Sequence, residues 1–344
     1  MTQGIALFFE SMEQPSIDII IPTYKPDEGL LTLLDRLMHQ SIRPGHIILM
    51  NTEEKYLSRL IYGSDFENRF PNVIIRNISK KEFNHGRTRN EGAKRSAAQV
   101  MVFMTQDAIP ENDRLLEELI KPLSEEEVAV SYARQLPAGD ASPIEVFSRS
   151  FNYPDSDCIK SKATQEKYGI KNYFCSNVCA AYKREIFTEL GGFVDFTIFN
   201  EDMLYAAKVI KAGRSIAYCS RARVIHSHNY SGLQQLKRNF DLGVSQADHP
   251  EVFDGVKSEG EGIRMVKMNI KYLLEKKKLR WVPRLIYMSA CKFIGYRLGK
   301  SYKRLSRKMI LGCTMSPDYF RRYWDKTAVP ENVYAGYGKN EEGL

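Results

Sequence analysis

Apolar and polar positions alternate in blocks along the first half of the chain. "SIDIIIPTY" carries a β-branched run that reads as a buried strand, and "DEGLLTLLDRLMHQ" repeats apolar residues at helical spacing. "HIILMN", a polar helix-like block from Thr52, "NVIIRNIS", "GRTRNEGAKRSAAQ" and "VMVFMT" continue the alternation. Strands that alternate with helices of this length imply βαβ units and a mainly parallel sheet. Ligands of such sheets sit beyond the carboxyl ends of the strands. Thr23–Tyr24, Asn51, the loop "KKEFNHGR" and Thr105–Gln106–Asp107 all fall at such ends, so one crevice is expected to gather them.

From Arg134 to Asn172 the pattern breaks into Pro, Gly, Asp and aromatic residues, which predicts a functional loop. "FCSNVCAAYKREIF" restores a strand and "LGGF" is a turn. "NEDMLYAAKVIKAG" is a helix with Met203, Ala206, Ala207 and Ile210 on one face, ended by Gly213. "SIAYCS" and "ARVIHSH" follow as short strands, and beyond about Ser231 the chain reads as helical and basic. The expected division is therefore 1–230 and a C-terminal extension, 231–344.

Composition changes this picture little: 43% hydrophobic and 27% charged residues over 344 positions argue against large-scale disorder. The first residues have no basic n-region and no small-residue cleavage site, so a cytoplasmic chain without a signal peptide is expected. Six cysteines form no CxxC pair, and Cys175 and Cys179 read as small buried hydrophobes. Charge is more informative. Lys271 to Lys308 hold thirteen Lys/Arg against one Glu, more than the net +8 of the whole chain. Arg284, Lys292 and Arg297 interrupt the most apolar window there, which disfavours a membrane span. Two readings stand side by side, a helix docked on the N-terminal domain and a helix lying on an anionic lipid surface. No nucleic-acid motif accompanies the charge, and nucleic acid is not an expected partner.

Four local patterns offer chemistry, each with an ordinary structural explanation beside it. Asp107 ends an apolar strand, where a carboxylate serves either as a turn cap or as a ligand. "FNHGRTRNEGA" starts a helix, whose N-terminus with Arg87 and Arg89 suits phosphate unless the arginines merely face solvent. Glu201 and Asp202 open another helix, pointing about 100° apart, so one acts while the other positions. The dipole there is expected to keep the acting carboxylate ionised, although first helical turns favour acids anyway. His226 and His228, two apart, share a face if extended, and one of them with Asp107 would complete an octahedral Mg2+ or Mn2+ site.

In chain order, "DIIIPTYKP", "FNHGRTRNEGA", "FMTQDAIP", "SNVCAAYKREIF", "LGGF", "FNEDMLYAAKVIKAG" and "VIHSHNYS" resemble the family-2 inverting glycosyltransferases. Within them the TQDA corner, the HG-x-TRN loop and the HSH-Y-S segment are similar to the bacterial rhamnosyltransferase branch. The likeness covers roughly residues 15 to 240. It implies the GT-A fold, a Rossmann-like α/β arrangement of a mixed, mainly parallel sheet with helices on both faces. It implies transfer of L-rhamnose from dTDP-β-L-rhamnose to a hydroxyl of a lipid-linked surface polysaccharide intermediate. Asp107 matches the metal-binding second acid of the family's DXD motif, with Thr105 at the first acid position. Asp202 matches the catalytic base, with Glu201 beside it, and His226 or His228 the late metal ligand. Thr23, Tyr24, Asn51, Arg87, Arg89 and Gln106 match nucleotide-contacting positions, Asn51 standing where many relatives have an acid. The extension is expected to serve acceptor, membrane-surface or oligomer contacts. A UDP-sugar donor is the nearest alternative, and a non-catalytic glycan- or lipid-binding partner on the same fold the next. A dinucleotide dehydrogenase is disfavoured because no GxGxxG follows the first strand.

Overall fold

The computed structural model describes residues 14–254 and 259–325. The expected lack of a leader concerns residues 1–13, and part of the expected extension is residues 326–344; both stretches lie outside the described residues.

Nine strands form one mixed sheet: β1 (Ile17–Tyr24), β2 (Ile47–Thr52), β3 (Val73–Ile78), β4 (Val100–Met104), β5 (Ile109–Pro110), β6 (Val128–Leu136), β7 (Cys158–Lys160), β8 (Cys179–Lys183) and β9 (Ser215–Ile225). Their order is β3-β2-β1-β4-β8-β6-β9-β5, with β7 also on β9. Pairs β1–β2, β2–β3, β1–β4 and β6–β9 are parallel, while β8 runs antiparallel to both β4 and β6. The unbroken apolar runs have a direct cause. Ile19 and Ile21 of β1 face one core with Leu30, Leu33, Leu34 and Leu37, whereas Ile20 faces the other with Met50, Phe103 and Tyr182. A strand covered on both faces has no polar side to alternate with.

The helix Glu28–Met38 begins where Asp27 accepts a hydrogen bond from Gly29 N at 2.9 Å, and it buries the i, i+3, i+4, i+7 leucines. The segments "SIAYCS" and "ARVIHSH" differ from expectation in being one eleven-residue strand, β9, with a register shift against β6 between Ala133 and Arg134. The expected loop from Arg134 to Asn172 is also more regular. It contains the end of β6, the helix Pro143–Asn152 and β7. Ser142 caps that helix by accepting from Glu145 N, with Pro143 at its first position.

Beyond Ser231 the described chain is helical. The helices Gly232–Asp248 and Val282–Lys300 meet backbone to backbone. A Cβ on Gly295 would stand 2.1 Å from Leu236 O, and one on Gly299 2.1 Å from Phe240 O, so only glycine permits this crossing. The helix Glu259–Glu275 packs on Pro143–Asn152 through Phe147 and Tyr272, ring centroids 5.3 Å apart. The last described helix, Pro317–Trp324, returns to the carboxyl ends of β1 and β2, where Tyr319 stacks on Phe196 at 4.6 Å and Asp318 pairs with Lys80 at 2.8 Å.

Candidate active site

The site is assembled by strand pairing. Ile109 of β5 lies opposite Ile225 of β9, so Asp107, two residues before the one, is brought to His226, one residue after the other. Asp107 Oδ2 lies 3.5 Å from His226 Nε2 and 3.4 Å from His228 Nε2, and the two imidazole nitrogens are 3.1 Å apart. One ligand atom from each residue falls within 4.8 Å of the others. The sequence leaves the choice between the two histidines open, and the extended backbone puts both rings beside the carboxylate.

The tautomer of His226 follows from its neighbour. Gln135 Oε1 accepts from Arg149 Nη1, which fixes it as the carbonyl oxygen, and it lies 3.1 Å from His226 Nδ1. Nδ1 thus carries the proton and Nε2 presents its lone pair toward Asp107. Burial favours the neutral form of the Asp107 carboxyl, but its contacts with His226, Thr105 and His228 outweigh burial and hold the group well below its ordinary value. Burial lowers His228 below its ordinary value. A carboxylate and two facing lone pairs fit a divalent cation of the Mg2+ or Mn2+ type.

The acids of the second motif divide as their directions require. Glu201 is buried and turned inward, 3.2 Å from Arg89 Nη1 and 3.3 Å from Asn177 Nδ2. Burial works to raise it, but Arg89 and then His85 bring it below the ordinary carboxylate value. Asp202 accepts from Asn177 N at 3.1 Å and from Met203 N at 2.8 Å. Burial, then the charge of Glu201, push its carboxyl up to about 7. Desolvation and a like charge thus work against the helix dipole, which was expected to keep this carboxylate ionised at neutral pH. Before this pair Asn200 adopts φ 65°, a left-handed conformation that Asn tolerates, and its side chain donates to Ser245 Oγ at 3.2 Å. The helix Gly232–Asp248 thereby braces the turn.

Asp107, Asp202, His226 and His228 line one cavity of about 460 Å3. Sequence reasoning did not single out the other charged residues there: Glu145 and Arg149 from the helix Pro143–Asn152, Arg238 and Lys292 from the basic extension. Arg149 Nε lies 2.6 Å from Glu145 Oε1, and Arg238 lies over the rings of Phe199 at 4.7 Å and Tyr230 at 5.9 Å. Burial lowers Lys292. The Ser142…Glu145 spacing, a capping-box signature, was the available signal for the first pair.

The arginines expected to bind phosphate stand elsewhere. Arg89 is buried, bonded to His85 O and paired with Glu201. Arg87 lies toward Arg322, whose pKa it helps lower after burial. At the helix start Asn84 Oδ1 accepts from Gly86 N at 3.1 Å, and a Cβ on Gly86 would meet Val194 O at 1.8 Å. Gly86 is thus packed on Val194, while His85 beside it lines a second cavity.

At the ends of β1, β2 and β3 a buried polar ladder runs Thr23 Oγ1 to Asn51 Oδ1 at 3.2 Å and Asn51 Nδ2 to Asn77 Oδ1 at 2.7 Å. Gln106 ties β1 to the Asp107 corner: its Oε1 accepts from Tyr24 N at 2.8 Å and its Nε2 donates to Tyr24 O at 3.1 Å. Tyr24 lines the second cavity, of about 350 Å3, with Phe83, His85, Lys80, Tyr319 and Arg322. Thr23 and Asn51 are buried and line neither cavity.

Residues 18–191 match the model of the family described as "Glycosyl transferase family 2". The O-antigen chain rhamnosyltransferase RfbN of Salmonella typhimurium is 40% identical over 313 residues, 90% of this chain and 96% of that protein. The chain belongs to glycosyltransferase family 2. This glycosyltransferase is also 39% identical over 316 residues to the O-antigen chain rhamnosyltransferase WbaN of Salmonella anatum, with the same coverage of both chains. Its fold is similar to that of the mannosyltransferase PcManGT from Pyrobaculum calidifontis, solved in complex with GDP-Man and Mn2+. The TM-score is 0.54 at 13% identity, over 94% of this glycosyltransferase and 84% of that chain.

Proposed function

We propose that the chain transfers L-rhamnose from dTDP-β-L-rhamnose, with inversion, to a hydroxyl of a lipid-linked bacterial surface polysaccharide intermediate at the inner face of the cell membrane. One observation carries the reading: an acid with a raised pKa, Asp202, and the Asp107–His226–His228 cluster share one cavity. The names of the two Salmonella relatives support rhamnosyl transfer in O-antigen assembly.

Asp107, His226 and His228 would hold Mg2+ or Mn2+, which when bound supplies positive charge for the departing diphosphate. The protein's own groups do the rest. Asp202, held by the Asn177 and Met203 amides, takes the proton of the acceptor hydroxyl as that oxygen forms its bond to the anomeric carbon. The bond from that carbon to the diphosphate breaks on the opposite side. Arg238 and Lys292, rather than Arg87 and Arg89, add cationic charge around the leaving group. The nucleoside occupies the cavity at Tyr24, next to Asp107 through the Gln106 bridge, with Thr23 and Asn51 beneath. Glu201 positions Arg89 and the turn before Asp202 and does not take the proton.

The test is to incubate the full chain with separate nucleotide sugars and Mg2+ or Mn2+, with and without a lipid-linked saccharide, and to identify the nucleoside diphosphate released. Acceptor-dependent dTDP from dTDP-rhamnose is expected. UDP released from a UDP-sugar instead would reassign the donor, and binding without release would make the chain a binding partner.

A further inference from the structure

The helix Val282–Lys300 has two unlike faces. Leu285, Lys292, Gly295 and Gly299 turn toward the protein, Lys292 into the reaction cavity. On the outer side Ile286, Tyr287, Phe293 and Ile294 are 55%, 59%, 57% and 49% exposed, with Pro283 and Ala290 exposed between them. These positions recur every three or four residues, so they form one stripe about 16 Å long from Pro283 to Ile294. Aliphatic and aromatic side chains gathered on one face in this way mark an interaction site more than scattered exposure does.

Charge gathers at the start of the stripe. The connection before this helix carries Lys276, Lys277, Lys278 and Arg280, all exposed, with Leu274 and Leu279 exposed among them at 51% and 62%. Arg284 follows, over the Trp281 ring at 5.2 Å. The single acid from Lys271 to Lys308, Glu275, lies 3.8 Å from Lys271. Among the described residues no helix is long and apolar enough to cross a membrane.

We infer that this face lies on an anionic phospholipid surface, with the apolar stripe entering the headgroup boundary and the lysine cluster against lipid phosphates. A stripe flanked by cations fits that surface on both counts. Pairing with a second copy fits it poorly, because an antiparallel two-fold contact along the stripe would set the lysine cluster of one copy against the basic end of the other's helix, Arg297 and Lys300. The same helix would then hold the reaction cavity beside the bilayer, where a lipid-linked acceptor is found. The inference itself stands on the stripe and its charge, and its test reads binding without any transfer.

The experiment is sedimentation of the full chain with vesicles of phosphatidylcholine alone or mixed with phosphatidylglycerol. Binding to the mixed vesicles, weakened by salt, and little binding to phosphatidylcholine alone are expected. Ile286→Glu with Phe293→Glu should abolish it. Lys276→Gln, Lys277→Gln and Lys278→Gln together, on an exposed connection that leaves the core untouched, should lower partitioning on the order of a hundredfold. Circular dichroism melts of each variant should match the unaltered chain, and nucleotide release in detergent should persist. Absence of vesicle binding, equal binding to both vesicle types, or a dimer in light scattering that Phe293→Glu dissociates would overturn the inference.

Discussion

The Nε2 atoms of His226 and His228 stand 3.1 Å apart, and both face the same oxygen of Asp107. Two ring nitrogens at that distance cannot both direct a proton at the other, while two lone pairs and a carboxylate converge naturally on a cation. Asp107→Ala and His226→Ala are expected to abolish high-affinity Mn2+ binding by calorimetry. Gln135→Leu, which removes the acceptor of the His226 Nδ1 proton, should weaken it by about 10–100-fold. Unchanged Mn2+ affinity in Asp107→Ala would rule out the cluster as the metal site.

Asp202 gives the reaction a pH signature. Its carboxyl is raised to about 7 by burial and by Glu201, so it is protonated in acid and becomes a base only as pH rises through that value. Turnover should climb about tenfold per pH unit below that point and level off above it. Asp202→Asn should lower turnover by about 10²–10⁴-fold at pH 8 while dTDP binding survives. A flat profile between pH 5 and pH 8, on the order of three units, would remove Asp202 from the base role.

Arg89 and Glu201 form a buried ion pair at 3.2 Å, and each leaves the other uncompensated if removed. Arg89→Ala should cost about 3–5 kcal/mol of stability in chemical denaturation. Adding Glu201→Ala should restore part of that loss, since the stranded charge goes with it. Additive losses would mean the pair is not coupled.

Arg238 predicts the opposite balance. It lies over Phe199 and Tyr230 at the cavity wall, so Arg238→Ala should leave the melting temperature nearly unchanged. Its effect should appear in donor binding, weakened by about 1.5–3 kcal/mol in dTDP titrations. An unaltered dTDP affinity would assign the leaving-group charge elsewhere.

Much of the sheet and the residues at its edge were legible because their signals are local. The β1 and β4 runs, the Asp107 corner, the Glu201–Asp202 helix start and the paired histidines each read from a few adjacent letters. That both His226 and His228 reach Asp107 was not legible, because the pairing Ile109 to Ile225, which joins segments more than a hundred positions apart, is what brings both rings in. Arg89 was misassigned for a related reason. Its buried partner Glu201 stands far along the chain, as does Val194, which packs on Gly86. Arg238 and Lys292 gave no local signal. Which face of their helices meets the cavity depends on the close crossing at Gly295 and Gly299, a packing outcome that helical periodicity does not encode.

The placement of Lys292 has a consequence for dissection of the chain. A fragment stopping at Tyr230 would retain Asp107, Asp202 and both imidazoles, yet it would lose two of the cationic walls around them. Water would then reach the carboxylate whose proton affinity depends on being dry, and its affinity would fall back toward that of a surface aspartate. Such a fragment would keep the letters of its signature and lose the electrostatics that make them reactive.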